Sequence, residues 1–234
     1  MRRLFRSFER FGVDYLLISG QASVLYGAAT FSEDVDLWVA PASANIPRLK
    51  RALASLGATW FKLTPPLTRR NMLAGHGFHF IVPSRPLPIY LDILGHPPRV
   101  GGFGVARAGA REVRCDWGRI PVVSIEDLVE MKKTQRPSDY ETITNLAQIR
   151  VDESPGVRRV LSWAARNAFR AEARAQTLAL LGKTVSVAAC GRQIGREMAR
   201  LQRTDIAYWR LRRHALRRLY REGKLQALGE LVQP

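Results

Sequence analysis

Apolar positions follow two different rhythms along the chain. In the first 150 residues, short apolar runs stand between clusters of turn-forming residues. Tyr15 to Ile18 and Val35 to Val39 are compact runs of the kind buried strands make. Between them Ser19-Gly20 reads as a turn, and Gln21 to Tyr26 as a helix stopped at Gly27. Ile46, Leu49, Leu53 and Leu56 recur at helical spacing, with Asn45 as the expected cap, Pro47 in the first turn and Gly57 as the stop. Residues 3–11 read as a short basic helix. Phe78 to Val82 and Ile89 to Leu94 read as strands, joined as a hairpin across Pro83 to Pro88. Residues 95–110 are rich in Gly and Pro and are expected to form a long loop. Arg111 to Cys115 and Ile120 to Val123 read as short strands. Ser124 suits the cap of a following helix, with Asp127 three residues on, and Pro137 the first turn of another.

From Ser154-Pro155-Gly156 onward strand signals almost vanish and the pattern becomes helical. The expected organisation is an α+β domain over residues 1–150 and a helical domain over 151–234, with the boundary at about 150–155. No internal repeat or low-complexity tract is visible.

Charge sharpens this division. The chain carries 37 Lys and Arg against 20 Asp and Glu, a net charge of +17 and a pI near 11.0. Residues 1–150 hold +7 of that charge and residues 151–234 hold +10, so the shorter segment is the more basic. Such an excess suits a polyanionic partner, with nucleic acid first and an anionic membrane surface second. A solvated, Arg-rich surface is the plainer explanation. Hydrophobic content of 46% and charged content of 24% are those of an ordinary globular protein. The two cysteines, Cys115 and Cys190, support neither a disulfide framework nor a zinc site and fit a reducing compartment. The basic start has no long apolar run behind it, so a signal peptide is not expected. No stretch approaches the ~18 apolar residues of a membrane span. The expectation is a soluble, cytoplasmic protein that does not enter a membrane.

The candidate chemistry lies in three acids. Asp34-Val35-Asp36 leads into an apparent strand. Side chains two apart in a strand share a face, roughly 6.6 Å apart. Two carboxylates so placed can reach one pair of hard cations, and two-metal phosphoryl-transfer sites hold their ions ~3.5–4 Å apart. Most Asp-x-Asp pairs are surface turns or solvated strand ends, but this one runs directly into Leu37-Trp38-Val39. Asp92 is a lone acid in the apolar run Ile89 to Leu94 and needs a partner, either a cation or an Arg or loop donor. At Gly20 a phosphate could approach the backbone closely, or the glycine could serve an ordinary tight turn. His76 and His79 lie near a strand start, where a structural role is the simpler reading.

The order Gly20-Gln21-Ala22, then Ser32-Glu33-Asp34-Val35-Asp36-Leu37, then Leu91-Asp92-Ile93-Leu94 resembles the nucleotidyltransferase superfamily of the polymerase-beta type. Ser124 to Lys132, followed by Arg136-Pro137-Ser138-Asp139, looks like the helix pair of its AbiEii-type and minimal bacterial members. The resemblance covers about residues 13–148. It implies a nucleotidyltransferase fold, a mixed sheet flanked by helices. Asp34, Asp36 and Asp92 would be the catalytic metal ligands, for two Mg²⁺ ions or Mn²⁺ in their place. Asp92 would also help deprotonate the attacking hydroxyl. Ser19, Gly20 and Gln21 would face the phosphates of an NTP, and Lys132 would neutralise them. Membership of that branch would allow a toxin of a toxin–antitoxin pair, with an antitoxin protein as partner. Two positions depart from the pattern: Gln21 stands where Gly or Ser is usual, and Thr30 where Arg is frequent.

Read as one helix, Arg192, Arg196, Arg200, Arg203, Arg210, Arg217 and Arg221 recur at steps of three, four or seven. Ile194, Met198, Leu201, Tyr208, Ala215 and Leu219 fall on roughly the opposite side. Gly195 could break such a helix. Trp209 and Tyr220 could stack on bases, with packing the simpler role. Arg196, Arg200, Arg203 and Arg210 are the candidates for gripping a nucleic-acid backbone without choosing sequence. The expected activity is transfer of NMP from an NTP to a hydroxyl on RNA, with a tRNA end as one candidate. Other acceptors are a protein or small-molecule hydroxyl. The rival from another class is a non-catalytic RNA-binding protein on a degenerate transferase scaffold.

Overall fold

Ten helices and seven strands follow one another along residues 1–234, all described by the computed structural model. They are α1 (Arg2–Arg10), β1 (Tyr15–Ile18), α2 (Ser19–Leu25), β2 (Val35–Val39), α3 (Asn45–Ser55), β3 (Thr59–Trp60), α4 (Arg69–Leu73), β4 (Gly77–Val82) and β5 (Ile89–Leu94). Then come α5 (Phe103–Ala108), β6 (Arg111–Cys115), β7 (Gly118–Val122), α6 (Ile125–Lys132), α7 (Pro137–Asp152), α8 (Arg158–Asn167), α9 (Ala171–Leu180) and α10 (Val187–Arg221). The chain divides into two compact units. One comprises Met1–Ala22, Phe31–Ser124 and Leu211–Pro234, and the other Ser23–Thr30 and Ile125–Arg210.

The first unit is built on a single mixed sheet of order β3-β4-β5-β2-β1-β7-β6. β2 runs parallel to β5 and β1 parallel to β7, while the other pairs are antiparallel. This is the mixed sheet with helices that the sequence led one to expect. Strand alternation explains which face is core. In β4 and β5, Phe78, Phe80, Val82, Leu91 and Ile93 are buried, while His79, Ile81, Asp92 and Leu94 between them are half-buried. Helix α1 buries Leu4, Phe5 and Phe8, with Phe8 edge-on to Tyr15 at 5.4 Å. Ser7 Oγ donates to the Ala52 carbonyl, tying α1 to α3. The β3 edge is covered by the chain's own end. Trp60 N donates to Glu230 O, Gly229 N to Trp60 O and Val232 N to Ala58 O.

Two local expectations are corrected in this unit. Asn45 is not the cap of α3 but its first residue, following Ala44. Its amide instead accepts from Asp14 N and donates to the Asp14 and Ala40 carbonyls, fixing the loop between β2 and α3. The stretch 95–110 is not all loop. Helix α5 forms there because Phe103 has something to pack on, the Trp38 ring, edge-on at 5.6 Å.

The second unit is helical. Ala147 and Val151 of α7 form a buried cluster with Val160, Leu161 and Ala164 of α8, and Trp163 and Leu181 close it. The expected cut at 150–155 therefore falls inside this unit. Ser154-Pro155-Gly156, with Gly156 at φ 76°, is the turn that folds α8 back onto α7 rather than a linker. Helix α10 runs 35 residues, about 52 Å at 1.5 Å per residue, with residues 187–210 in this unit and 211–221 in the first. It passes Gly195 without a break. No helix is long and apolar enough to cross a membrane.

Candidate active site

The site grows from one row across the sheet in the first unit. Ile18 in β1 pairs with Asp36 in β2, Asp36 with Asp92 in β5, and Asp92 with His79 in β4. Register partners on neighbouring strands point to the same face. Asp36, Asp92 and His79 thus stand side by side on the face opposite the buried Phe78, Phe80, Leu91 and Ile93. Asp34 has the same parity as Asp36 but lies just before β2, in a bend. His79 Nδ1 lies 2.8 Å from Asp92 Oδ1, with both side chains about a quarter exposed. One row further along, Trp38 pairs with Leu94 and Leu94 with Gly77. Trp38 is fully buried, and its indole N–H donates to the Gly95 carbonyl.

At the β1 end of the row the chain turns sharply. Ser19 takes φ 59°, a left-handed conformation that costs a non-glycine residue free energy. Gly20 follows. A Cβ at residue 20 would overlap Ser32 Oγ and lie 2.8 Å from Ser32 Cβ. The bare side of Gly20 is therefore taken by Ser32. Gln21 Nε2 donates to the Ser32 carbonyl at 2.8 Å, and Ser32 Oγ to the Asp34 carbonyl at 3.2 Å. Gln21, a departure from the resembled pattern, thus clamps the segment that delivers Asp34.

The expected three-acid cluster is only partly assembled. Asp36 and Asp92 are register partners, but no group of three His, Cys, Asp or Glu residues is arranged to hold a metal ion. The reason is local: Asp34 sits outside the strand, in a bend set by Ser32. In kind, the donors do fit a hard divalent cation. They are carboxylate oxygens, the donors such cations take.

The remaining candidates lie in the second unit. Lys132 is buried, and its Nζ lies 2.9 Å from Asp139 Oδ1. Asp139 also accepts from Thr134 and from Arg136 Nε. Burial alone would raise the Asp139 pKa. The Lys132 charge, the hydrogen bonds from Thr134 and Lys132, and the Arg136 charge outweigh that and hold it below the ordinary aspartate value. Arg136 and Asp139 thus pair across the junction between α6 and α7. On α10, Arg196, Arg200, Arg203 and Arg210 are all exposed, while Ile194 is buried on the other side.

The local sequence pattern favours a structural role for His79 and leaves it outside the site. The signal was available in the strand alternation, since Phe78 and Phe80 flank it as core residues. A hairpin turning across 83–88 also sets residue 79 opposite residue 92.

No protein-family model matches the chain, and no curated protein matches it. Among solved structures it is similar to an antigenic nucleotidyltransferase-like protein from Paracoccidioides brasiliensis, at 16% identity and a TM-score of 0.49, over 80% of this chain and 93% of that one. Likeness at that level assigns neither a family nor an activity.

Proposed function

We propose that the chain is a metal-dependent nucleotidyltransferase that moves NMP from an NTP to a hydroxyl, with RNA as the acceptor. The observation that carries this reading is the register of Asp36 against Asp92, two half-buried positions of a mixed sheet beside the Ser19-Gly20 turn. Asp34, Asp36 and Asp92 would hold two Mg²⁺ ions, or Mn²⁺. Bound there, the metal would supply charge neutralisation of the phosphates at the reacting phosphorus.

The chain's own residues would do the positioning. Ser19 presents the turn to the NTP phosphates, Gly20 makes room for Ser32, and Gln21 holds Ser32 and so the approach of Asp34. Asp92 accepts the proton of the attacking hydroxyl, whose oxygen then bonds to the α-phosphorus as the bond to pyrophosphate breaks. Lys132 is engaged by Asp139 within the second unit and is given no part in this step. RNA is favoured over a protein acceptor by the net charge of +17 and by the exposed arginines of α10.

The test is incubation with each α-labelled NTP, Mg²⁺ or Mn²⁺, and total RNA. Label in RNA from wild type but not from Asp36→Asn is the expected result. No metal-dependent NTP consumption with any acceptor would leave the non-catalytic RNA-binding reading standing. Label on protein with none on RNA would reassign the acceptor.

A further inference from the structure

We propose that His79 is a positioning residue for the Asp92 carboxylate, and that residue 77 is glycine to give the imidazole room to do it. The inference rests on the nucleotidyl-transfer reading. An aspartate carboxylate rotates easily about its last torsion, which is broad and two-fold. In a site where Asp92 must serve a cation and a hydroxyl, that freedom costs orientation. His79 removes it. Its Nδ1 stands 2.8 Å from Oδ1, from the register position directly opposite, so the proton on Nδ1 occupies one carboxylate oxygen and leaves the other for the reacting groups.

Gly77 is the second observation. It lies two residues back on the same strand, hence on the same face. Its backbone is not in the left-handed region, so glycine is not required there for conformation. What it supplies is space. A Cβ at residue 77 would stand 3.1 Å from His79 Nε2 and 3.2 Å from Cε1, tighter than ordinary contact. The nearest atoms are the far end of the ring, so Gly77→Ala displaces the imidazole and leaves the backbone.

Mn²⁺ is titrated calorimetrically into wild type, Asp36→Asn, His79→Ala, His79→Asn and Gly77→Ala, with a melting curve and steady-state kinetics for each. His79→Ala should weaken Mn²⁺ binding about 10- to 100-fold, the size of effect that loss of a ligand-orienting partner has at metal sites. It should lower kcat while KM for the NTP holds. His79→Asn, whose amide N–H can donate from nearly the same place, should keep most of both, and Gly77→Ala should fall between. Wild-type Mn²⁺ affinity in a folded His79→Ala, or equal loss in the Ala and Asn variants, overturns the proposal. Binding that is lost in Asp36→Asn but untouched by His79→Ala removes the role of His79 and leaves the transfer reading. A wild type that binds no Mn²⁺ removes both. If His79→Ala does not fold, Gly77→Ala decides: wild-type affinity and kcat there overturn the proposal.

Discussion

Gly20 and Ser32 occupy one another's space: the serine side chain fills the volume a Cβ at residue 20 would need. The contact joins the turn after β1 to the segment that leads Asp34 into β2. Gly20→Ala should destabilise the protein by about 1–3 kcal/mol, as overpacking does. Adding Ser32→Gly should recover much of that loss, because the two changes share one volume. Urea unfolding of the two single variants and the double variant measures the coupling. Strictly additive losses would show that the contact does not set the position of the Asp34 segment.

Asp36 faces Asp92 across a parallel pair. Asp36→Asn removes a ligand charge and little volume, so it should keep the fold while abolishing nucleotidyl transfer. The same variant should lose stabilisation by Mn²⁺. Ligand at a hundred times its dissociation constant adds about 2.7 kcal/mol to a protein that binds it only when folded. Melting curves with and without Mn²⁺ check both statements. An equal Mn²⁺-induced rise in the two proteins would place the metal elsewhere.

How far this site could be read from the sequence follows from the range of the interactions involved. Strands β1, β2, β4 and β5 were legible because each is a short apolar run ending in turn residues, and the hairpin of β4 and β5 because only six residues separate them. That hairpin already implied His79 opposite Asp92. The pairing of Asp36 with Asp92 was legible only through the family resemblance and not from the local pattern. It joins parallel strands far apart in sequence, and nothing local fixes their register. Helix α5 was hidden because Gly101, Gly102 and Gly104 argue for a loop, and the packing of Phe103 on Trp38 overrides them. The clamp from Gln21 to Ser32 was hidden for the same reason, being a bond between a side chain and distant backbone. The boundary near 150 failed because composition changes there while packing between α7 and α8 continues.

Lys132 and Asp139 form a buried ion pair in the second unit, so removing one partner strands the other charge. Asp139→Leu should cost about 3–5 kcal/mol, and the double change with Lys132→Met should recover most of it. The pair also predicts a pH dependence. Because the folded pKa of Asp139 lies below its ordinary value of 3.8, the unfolded chain binds the proton more readily. The stabilisation is complete above that ordinary value and is lost as pH falls through it toward the folded pKa. Urea midpoints measured from pH 6 down to pH 3 should fall in wild type, and less steeply in the double variant. Parallel slopes would show that the pair does not contribute.

Arg196, Arg200, Arg203 and Arg210 make one exposed stripe on α10, about 21 Å long at helical rise. If they meet an RNA backbone, each neutralises a phosphate and releases condensed counterions. Changing all four to Gln should then weaken RNA binding and flatten its dependence on salt. Each arginine–phosphate pair removed should reduce the slope of log K against log salt by roughly 0.7–0.9. The helix should persist, because the residues that bury its other side, Cys190, Ile194 and Asp205, are untouched. Transfer to a small hydroxyl acceptor should also persist, since Asp34, Asp36 and Asp92 are unchanged. Fluorescence anisotropy with single-stranded RNA across a salt series gives the slope, and circular dichroism confirms the helix. A quadruple variant with wild-type RNA affinity and slope would make the stripe a solvated face or a protein-binding surface. The acceptor would then be sought among proteins, where a basic helix face fits an acidic partner.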